Sequence, residues 1–444
     1  MRDLLVFASM WVLMPLALIN PFVAFLLWAW TAAIGLNSYM YGFMLAVPFN
    51  MIFAIIAMAS ILLGRDAARL KLTFPRTSVL YLLLALQATL SVVFAYDGLP
   101  RNVELYGNLI KALIFCFFMP WVLTQRYRVH AFVIALALGS SFHGLVEGLK
   151  FFASGGDHRI QGLAKFGDNN QLAIVIILGI PLLIYLYQYS AHRLLRLVLA
   201  AGIVLSIAAV IATHSRGGFV ALFLMLLTIA LASRRKWLGL VMIAVGLAGA
   251  VVFAPDSWSE RMNTIKEAEN DTSFMSRVVA WKVSSAIALD RPITGGGFHA
   301  VQSPDVWNAY RGREGLLAFW DTPYWPETAY AAHSVYFETL GDMGFIGFFI
   351  FLAILANAFH TLFRVRRSAR RLGEEYAWAR DLAAMLAASM VGYVVGAAAL
   401  SLAYLELMYM LVMLIQVLWL FVQNAETASA RSHRDDAMRA IAEG

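Results

Sequence analysis

Three arginines and one histidine stand out as side chains placed for chemistry, each beside glycines or capping residues at the end of an apolar run. Arg159 lies in His158-Arg159-Ile160-Gln161-Gly162, with Asp168-Asn169-Asn170 opening the next run. Arg216 lies in Thr213-His214-Ser215-Arg216-Gly217-Gly218, squeezed between two apolar stretches. Arg277 lies in Ser276-Arg277-Val278-Val279-Ala280-Trp281-Lys282, and Arg291-Pro292-Ile293-Thr294-Gly295-Gly296-Gly297 follows it. His333 lies in Ala332-His333-Ser334-Val335-Tyr336-Phe337-Glu338. A guanidinium is planar, permanently charged and able to grip phosphate oxygens in a fork. An imidazole beside a helix N-terminus is held neutral, which is the form a general base needs.

Each of these also has a plain structural explanation. Arg159 reads equally as a juxtamembrane arginine, with Asp168 or Asn169 capping a helix. Arg216 reads as a snorkelling arginine in a helical hairpin. Arg277 and Arg291 suit an amphipathic helix at lipid headgroups, and Glu338 suits the first turn of a helix through its dipole. Trp307, Tyr310, Trp320, Tyr324 and Trp325 are placed to stack on sugars, or to form an interfacial aromatic belt. The outward loops contain no aspartate pair with metal-ligand spacing, because Asp305 and Asp321 are isolated and Asp168 fits a cap. A metal-free, cofactor-free mechanism is therefore expected.

The elements that must position these groups follow from composition. Of 444 residues, 61% are hydrophobic and 14% charged, against about a quarter charged in soluble domains. Apolar stretches run over 42–63, 77–95, 108–124, 129–150, 168–190, 197–213, 217–233, 237–254, 335–363, 381–400 and 405–423. Residues 1–35 form two short helices broken at Asn20-Pro21 or one interrupted span, and parity favours one, giving about 12 spans in all. Basic clusters at Arg65–Arg76, Arg126/Arg128, Arg193/Arg196, Arg234–Lys236 and Arg364–Arg371 fall on alternate loops, so one orientation puts all of them in the cytoplasm. The net charge of +7 is thereby a topology signal, and nucleic acid is not an expected partner. The lone Cys116 rules out an internal disulfide or a cysteine metal cluster.

The remaining loops face outward: 36–41, 96–107, 151–167, 214–216, 255–334 and 401–404. All four chemically placed groups lie on them. Four segments result: an N-terminal transmembrane bundle over 1–254, an outward loop over 255–334, C-terminal transmembrane helices over 335–423, and a cytoplasmic tail over 424–444. Within the large loop, residues 258–290 carry apolar positions at helical spacing, including Met262, Ile265, Phe274, Val278, Trp281 and Ile287. They read as amphipathic helices on the outer membrane face. Residues 294–332 read as an ordered loop. Arginines converging with a histidine at a membrane surface suggest a lipid diphosphate ligand. A transporter or flippase of the same lipid would explain the spans and the basic outward face without a base. No internal repeat supports a transporter fold.

The order of these short motifs resembles the bacterial O-antigen ligase and polymerase superfamily. The resemblance runs through Arg159…Gly162…Asn169/Asn170, Ser215-Arg216-Gly217 and Arg277…Trp281. It continues in Pro292…Gly295-Gly296-Gly297 and His333-Ser334…Tyr336…Glu338…Gly341…Gly344-Phe345-Ile346-Gly347. Met1-Arg2-Asp3-Leu4-Leu5 and Asp168-Asn169-Asn170 are similar to the ligase branch, in particular exosortase-associated O-glycosylation ligases. Ser334 departs from the asparagine more usual after the histidine. The resemblance implies an all-α, GT-C-like inner-membrane glycosyltransferase with a periplasmic active site. Its donor would be an undecaprenyl-diphosphate glycan and its acceptor the hydroxyl of lipid A-core, a growing polymer or a protein, within lipopolysaccharide biosynthesis. It further implies that Arg159, Arg216 and Arg277 hold the diphosphate and that His333 is catalytic, with Asn169, Asn170, Arg291 and Glu338 as supporting residues.

Overall fold

The computed structural model describes residues 2–40, 42–63, 74–162, 167–233, 236–237, 239–241, 272–322 and 325–442. Among them there are helices and connections and no strand. The helices are α1 (Arg2–Ile19), α2 (Pro21–Ile34), α3 (Phe49–Leu63), α4 (Arg76–Val93), α5 (Asn102–Val122), α6 (Arg126–Ala153), α7 (Asn169–Tyr189), α8 (Arg193–Ala212) and α9 (Arg216–Ala232). Then come α10 (Thr272–Asp290), α11 (Pro304–Tyr310), α12 (Val335–Arg371), α13 (Ala377–Gly396) and α14 (Glu406–Ala442). Among the described residues, eight helices, α4 to α8 and α12 to α14, are long and apolar enough to cross a membrane. The protein is thus an all-helical, multi-pass membrane protein. Helices α1, α2, α3 and α9 are shorter but apolar.

Local chemistry explains where the expected spans shift. Residues 1–35 take the broken form: the Asn20 side chain accepts from the Phe22 amide at 3.0 Å, Pro21 opens α2, and Gly35 closes it at φ 57°. The span expected over 42–63 is helical only from Phe49, because 3₁₀ turns occupy Leu36–Tyr39 and Gly42–Ala46 and Pro48 precedes the helix. The span expected over 237–254 lies almost wholly outside the described residues.

With no aqueous driving force inside a bilayer, helices associate through small residues and interhelical hydrogen bonds. Gly144 and Gly148 of α6 meet Ser206 and the Leu205 backbone of α8 so closely that neither leaves space for a Cβ. Gly392 and Gly396 of α13 do the same against Ile177 and Ile174 of α7. Asn357 of α12 donates to the Thr77 hydroxyl of α4 at 3.0 Å, and that hydroxyl donates to Gln416 of α14 at 2.9 Å. Cys116 is packed in the core.

The loops collect at the two ends of the bundle. At one end the Tyr96 amide donates to the Gly296 carbonyl (3.0 Å) and the Ile160 amide to the Ala212 carbonyl (3.1 Å), while the His333 amide donates to the Ser401 hydroxyl (3.1 Å). At the other, Arg126 lies over Trp378, Arg364 over Trp419, and the Tyr189 hydroxyl donates to Asp381. Among the described residues, the predicted outward loops and the basic clusters containing Arg126 and Arg364 therefore separate in space.

Two expectations for the large loop need correction. Helix α10 is packed within the protein and not laid open along one face: Val278 to Ala280 and Lys282 to Ala288 are buried, and it packs on α12. Its Ser284 backs onto Gly341, and its fully buried Lys282 reaches Glu314, the Trp320 carbonyl (2.5 Å) and the Thr322 hydroxyl (2.9 Å). That ammonium pins the 311–322 segment onto the helix. Met262 and Ile265 lie outside the described residues. The aromatic residues proposed to stack on sugars are largely core. Trp307 is fully buried with its indole N–H on the Pro326 carbonyl, and the Tyr310 hydroxyl is held between Tyr96 and Asp290. Trp320 packs on Phe274, Trp325 faces Lys282, and Tyr324 lies outside the described residues.

Candidate active site

The position of His333 depends on a break in α12. Gly344 has φ 67° and ψ −169° within that helix, and Gly295 at φ 67° backs directly onto it. Only glycine fits either position, both for the sign of φ and for want of space. The break frees carbonyls that a bilayer could not satisfy, and neighbouring segments supply the donors. The Gly296 amide donates to Gly341 O at 2.9 Å, the Gly297 amide to Asp342 O at 3.0 Å, and the Gln87 amide to Met343 O at 2.9 Å. The Pro292–Gly297 motif is thus a dock for the broken helix, and it fixes the first turns of α12 with Ser334 at the N-cap.

His333 itself has φ 43°, unusual for a side-chain-bearing residue. His214 (φ 51°) and His299 (φ 58°) are the other non-glycine residues with positive φ among the described ones. All three sit in the turns expected to face outward, where backbone strain is a signpost to function. His333 Nδ1 is buried with no hydrogen-bond partner among the described residues. Burial first, then the charge of Arg277, hold its imidazole below the ordinary value of 6.5, while Asp168 and Glu338 pull the other way. The ring is consequently neutral at neutral pH, and Arg277 is close enough to act on it.

The other predicted residues arrive through three helix starts. Asp168 caps α7 by accepting from the Gln171 amide at 2.8 Å. Asn169 does not cap; its side chain donates to the Thr213 carbonyl at 2.6 Å and accepts from Asn170 at 3.4 Å. That bond brings the start of α7 to the start of α9, where Ser215 accepts from the Gly218 amide at 3.0 Å and half-buried Arg216 is the first helical residue. Arg159 is exposed, and the neighbouring Ile160 amide ties its loop to the end of α8. Glu147 anchors the same loop, pairing with Lys150 at 2.6 Å and His158 at 2.7 Å. Gln171 and His333 meet at Ser401, through its carbonyl (3.4 Å) and hydroxyl (3.1 Å). The N-termini of α7, α9 and α12 thus share one end of the bundle. Each contributes a partial positive charge there.

Two supporting assignments change. Arg291 donates to the Phe94 carbonyl at 2.7 Å and covers the Tyr96 ring, so it fastens the α4–α5 turn. Glu338 does not bond His333. It accepts from the Ala403 amide at 3.0 Å and faces His299 Nε2 at 3.4 Å. Burial lowers the His299 pKa, but the Glu338 hydrogen bond and charge, with the charge of Asp342, outweigh it and leave the pKa raised. Asp342 in turn accepts from the His299 amide (3.1 Å) and the Tyr404 hydroxyl (2.7 Å). His299, Glu338 and Tyr404, with Arg101, Glu104 and Ser401, line a cavity of about 360 Å³ with mixed polar and apolar walls, and Asp342 lies behind them. Sequence reasoning missed His299, Asp342, Ser401 and Tyr404. The signals available were their positions, directly after the triple glycine, one turn beyond Glu338, and in the 401–404 outward loop.

Residues 201–352, which contain Arg216, Arg277 and His333, match the O-antigen ligase family. That match supports membership of the O-antigen ligase superfamily. Residues 1–191, which contain Arg101, Arg159 and the start of α7, match a family of unknown function, DUF5935. No curated protein matches the chain. The matched family points in general to a glycosyltransferase-like ligase or polymerase activity, with a lipid-linked glycan and an acceptor as partners.

Proposed function

We propose that this protein is an inverting, metal-independent glycosyltransferase that moves a glycan from undecaprenyl diphosphate to an acceptor hydroxyl, that of lipid A-core, at the periplasmic face of the inner membrane. The observation that carries the reading is His333: a desolvated, neutral imidazole beside Arg277, at the meeting of three helix N-termini. The diphosphate enters with its prenyl tail in the bilayer, and Arg216 and Arg277 clamp it with Arg159 at the exposed edge. Cationic side chains and helix dipoles at one spot favour an anion that gains charge as it leaves.

In the reaction His333 takes the proton of the acceptor hydroxyl as its oxygen attacks the anomeric carbon from the face opposite the diphosphate. The new glycosidic bond forms while the bond to the diphosphate oxygen breaks, and that oxygen keeps the electron pair. The cavity beside Ser401 receives the acceptor sugar, whose hydroxyls suit the mixture of carboxylate, guanidinium and imidazole on its walls. Glu338 and Asp342 position His299 on that wall and do not touch the reacting atoms.

The test is transfer in liposomes holding undecaprenyl-diphosphate glycan and lipid A-core, with excess EDTA. Glycan-extended lipid A is the expected product. Chains growing on the carrier would make the protein a polymerase, and transfer only to an added protein acceptor would make it a protein O-oligosaccharyltransferase. Intact donor crossing the bilayer with no bond broken would replace the enzyme with a flippase.

A further inference from the structure

The opposite end of α12 carries a feature that the reaction does not use. Arg366, Arg367, Arg370 and Arg371 line one pocket of about 500 Å³ between α12 and α13, over an apolar floor that includes Phe363 and Ala387. Phe363, Arg366, Arg367, Arg370 and Arg371 recur at spacings that put them on one helical face. Cations spread around a helix end need no explanation beyond the positive-inside bias. Four guanidiniums gathered on one cavity do, because each repels the others.

Among the described acidic neighbours, Asp381 offsets that repulsion only in part, because it is shared. Asp381 accepts from Arg380 at 3.0 Å and from the Tyr189 hydroxyl at 2.9 Å. Glu374 is mostly exposed and lies 3.9 Å from Arg380. Arg364, one residue pair away, is stacked on Trp419. Arg366 Nε is buried and has no hydrogen-bond partner among the described residues, which is costly for a charged donor.

We propose that this pocket binds the headgroup of an anionic phospholipid, with the phosphate held by the Arg366 and Arg370 forks and an acyl chain lying along the Phe363 side. Guanidinium forks match phosphate oxygens, and basic pockets between transmembrane helices are places where anionic headgroups dock. The apolar floor and the 65% exposure of Phe363 favour a lipid over a free phosphate, because an acyl chain has an apolar surface to follow out of the pocket. The proposal is independent of the reaction assigned to the other end of the helix.

Native mass spectrometry of the detergent-solubilised full chain tests it, titrating phosphatidylglycerol against phosphatidylcholine. Phosphatidylglycerol should bind at least tenfold more tightly, and Arg366→Gln/Arg370→Gln should weaken it about 30-fold. Ala387→Trp fills the floor without changing charge and should weaken it about tenfold. Glycerophosphate should not compete. Equal binding of the two lipids would overturn the proposal, as would full retention in either variant or complete competition by glycerophosphate. Should the double variant fail to fold, Ala387→Trp alone decides.

Discussion

Glu338→Gln and Glu338→Ala are expected to separate two contributions that one buried carboxylate makes. Its Oε2 accepts from the Ala403 amide at 3.0 Å, and its Oε1 faces His299 Nε2 at 3.4 Å. Alanine leaves the Ala403 N–H without an acceptor, costing about 1–3 kcal/mol, and loses a charge-assisted contact worth about 1.5–3 kcal/mol. The sum is about 2.5–6 kcal/mol. Glutamine keeps an acceptor for Ala403 and loses only the charged part, about 1.5–3 kcal/mol. The pH dependence gives the sharper check. His299 has a raised pKa in the folded protein, so its contribution is fully present below the ordinary value of 6.5 and fades as pH rises through the folded value. The gap between wild type and Glu338→Gln should therefore be widest below pH 6.5 and shrink as pH rises through the raised His299 value. Denaturation in mixed micelles at several pH values measures it. A gap that widens with pH, or glutamine as damaging as alanine throughout, would refute the His299–Glu338 pairing.

Further outcomes follow from the same geometry. Arg216→Lys and Arg277→Lys should each lower transfer about 10–100-fold in kcat/KM, because a point charge does not reproduce the fork; unchanged turnover in both would end the clamp assignment. His333 sits below its ordinary value through burial and Arg277, so the rate should hold below pH 6.5 before its acid limb falls. Arg277→Gln should move that limb upward in pH–rate profiles of whatever activity remains. Gly148→Ala should cost about 1–3 kcal/mol in unfolding assays, because its Cβ would meet the Leu205 backbone of α8 and not a side chain able to turn away.

Much of this was legible in the sequence because membranes constrain it so strongly. Apolar length and alternating basic clusters located most helices, and the loops they assigned to one side do gather at one end. Asp168 as a cap and the break at Asn20-Pro21 were both open readings decided by single hydrogen bonds. What pattern alone did not give was tertiary pairing. The spacing of Glu338 after His333 suggested a partnership, yet the turn around Gly344 and the docking of Gly295–Gly297 bring His299 to the carboxylate instead. Arg291 looked like part of a charged series, but the nearby Phe94 carbonyl and Tyr96 ring take its guanidinium. The helical period over 272–290 was correct while its environment was not: Lys282 reads as a surface charge until Glu314, distant in sequence, covers it.

The central claim is that His333 is the base of a glycosyl transfer. Single-turnover cleavage of undecaprenyl-diphosphate glycan in liposomes with acceptor present, wild type beside His333→Ala, tests it most directly. A loss of about 10²–10⁴-fold in the bond-breaking rate, with donor binding and the unfolding midpoint unchanged, is the predicted result. Cleavage at the wild-type rate in His333→Ala would contradict it.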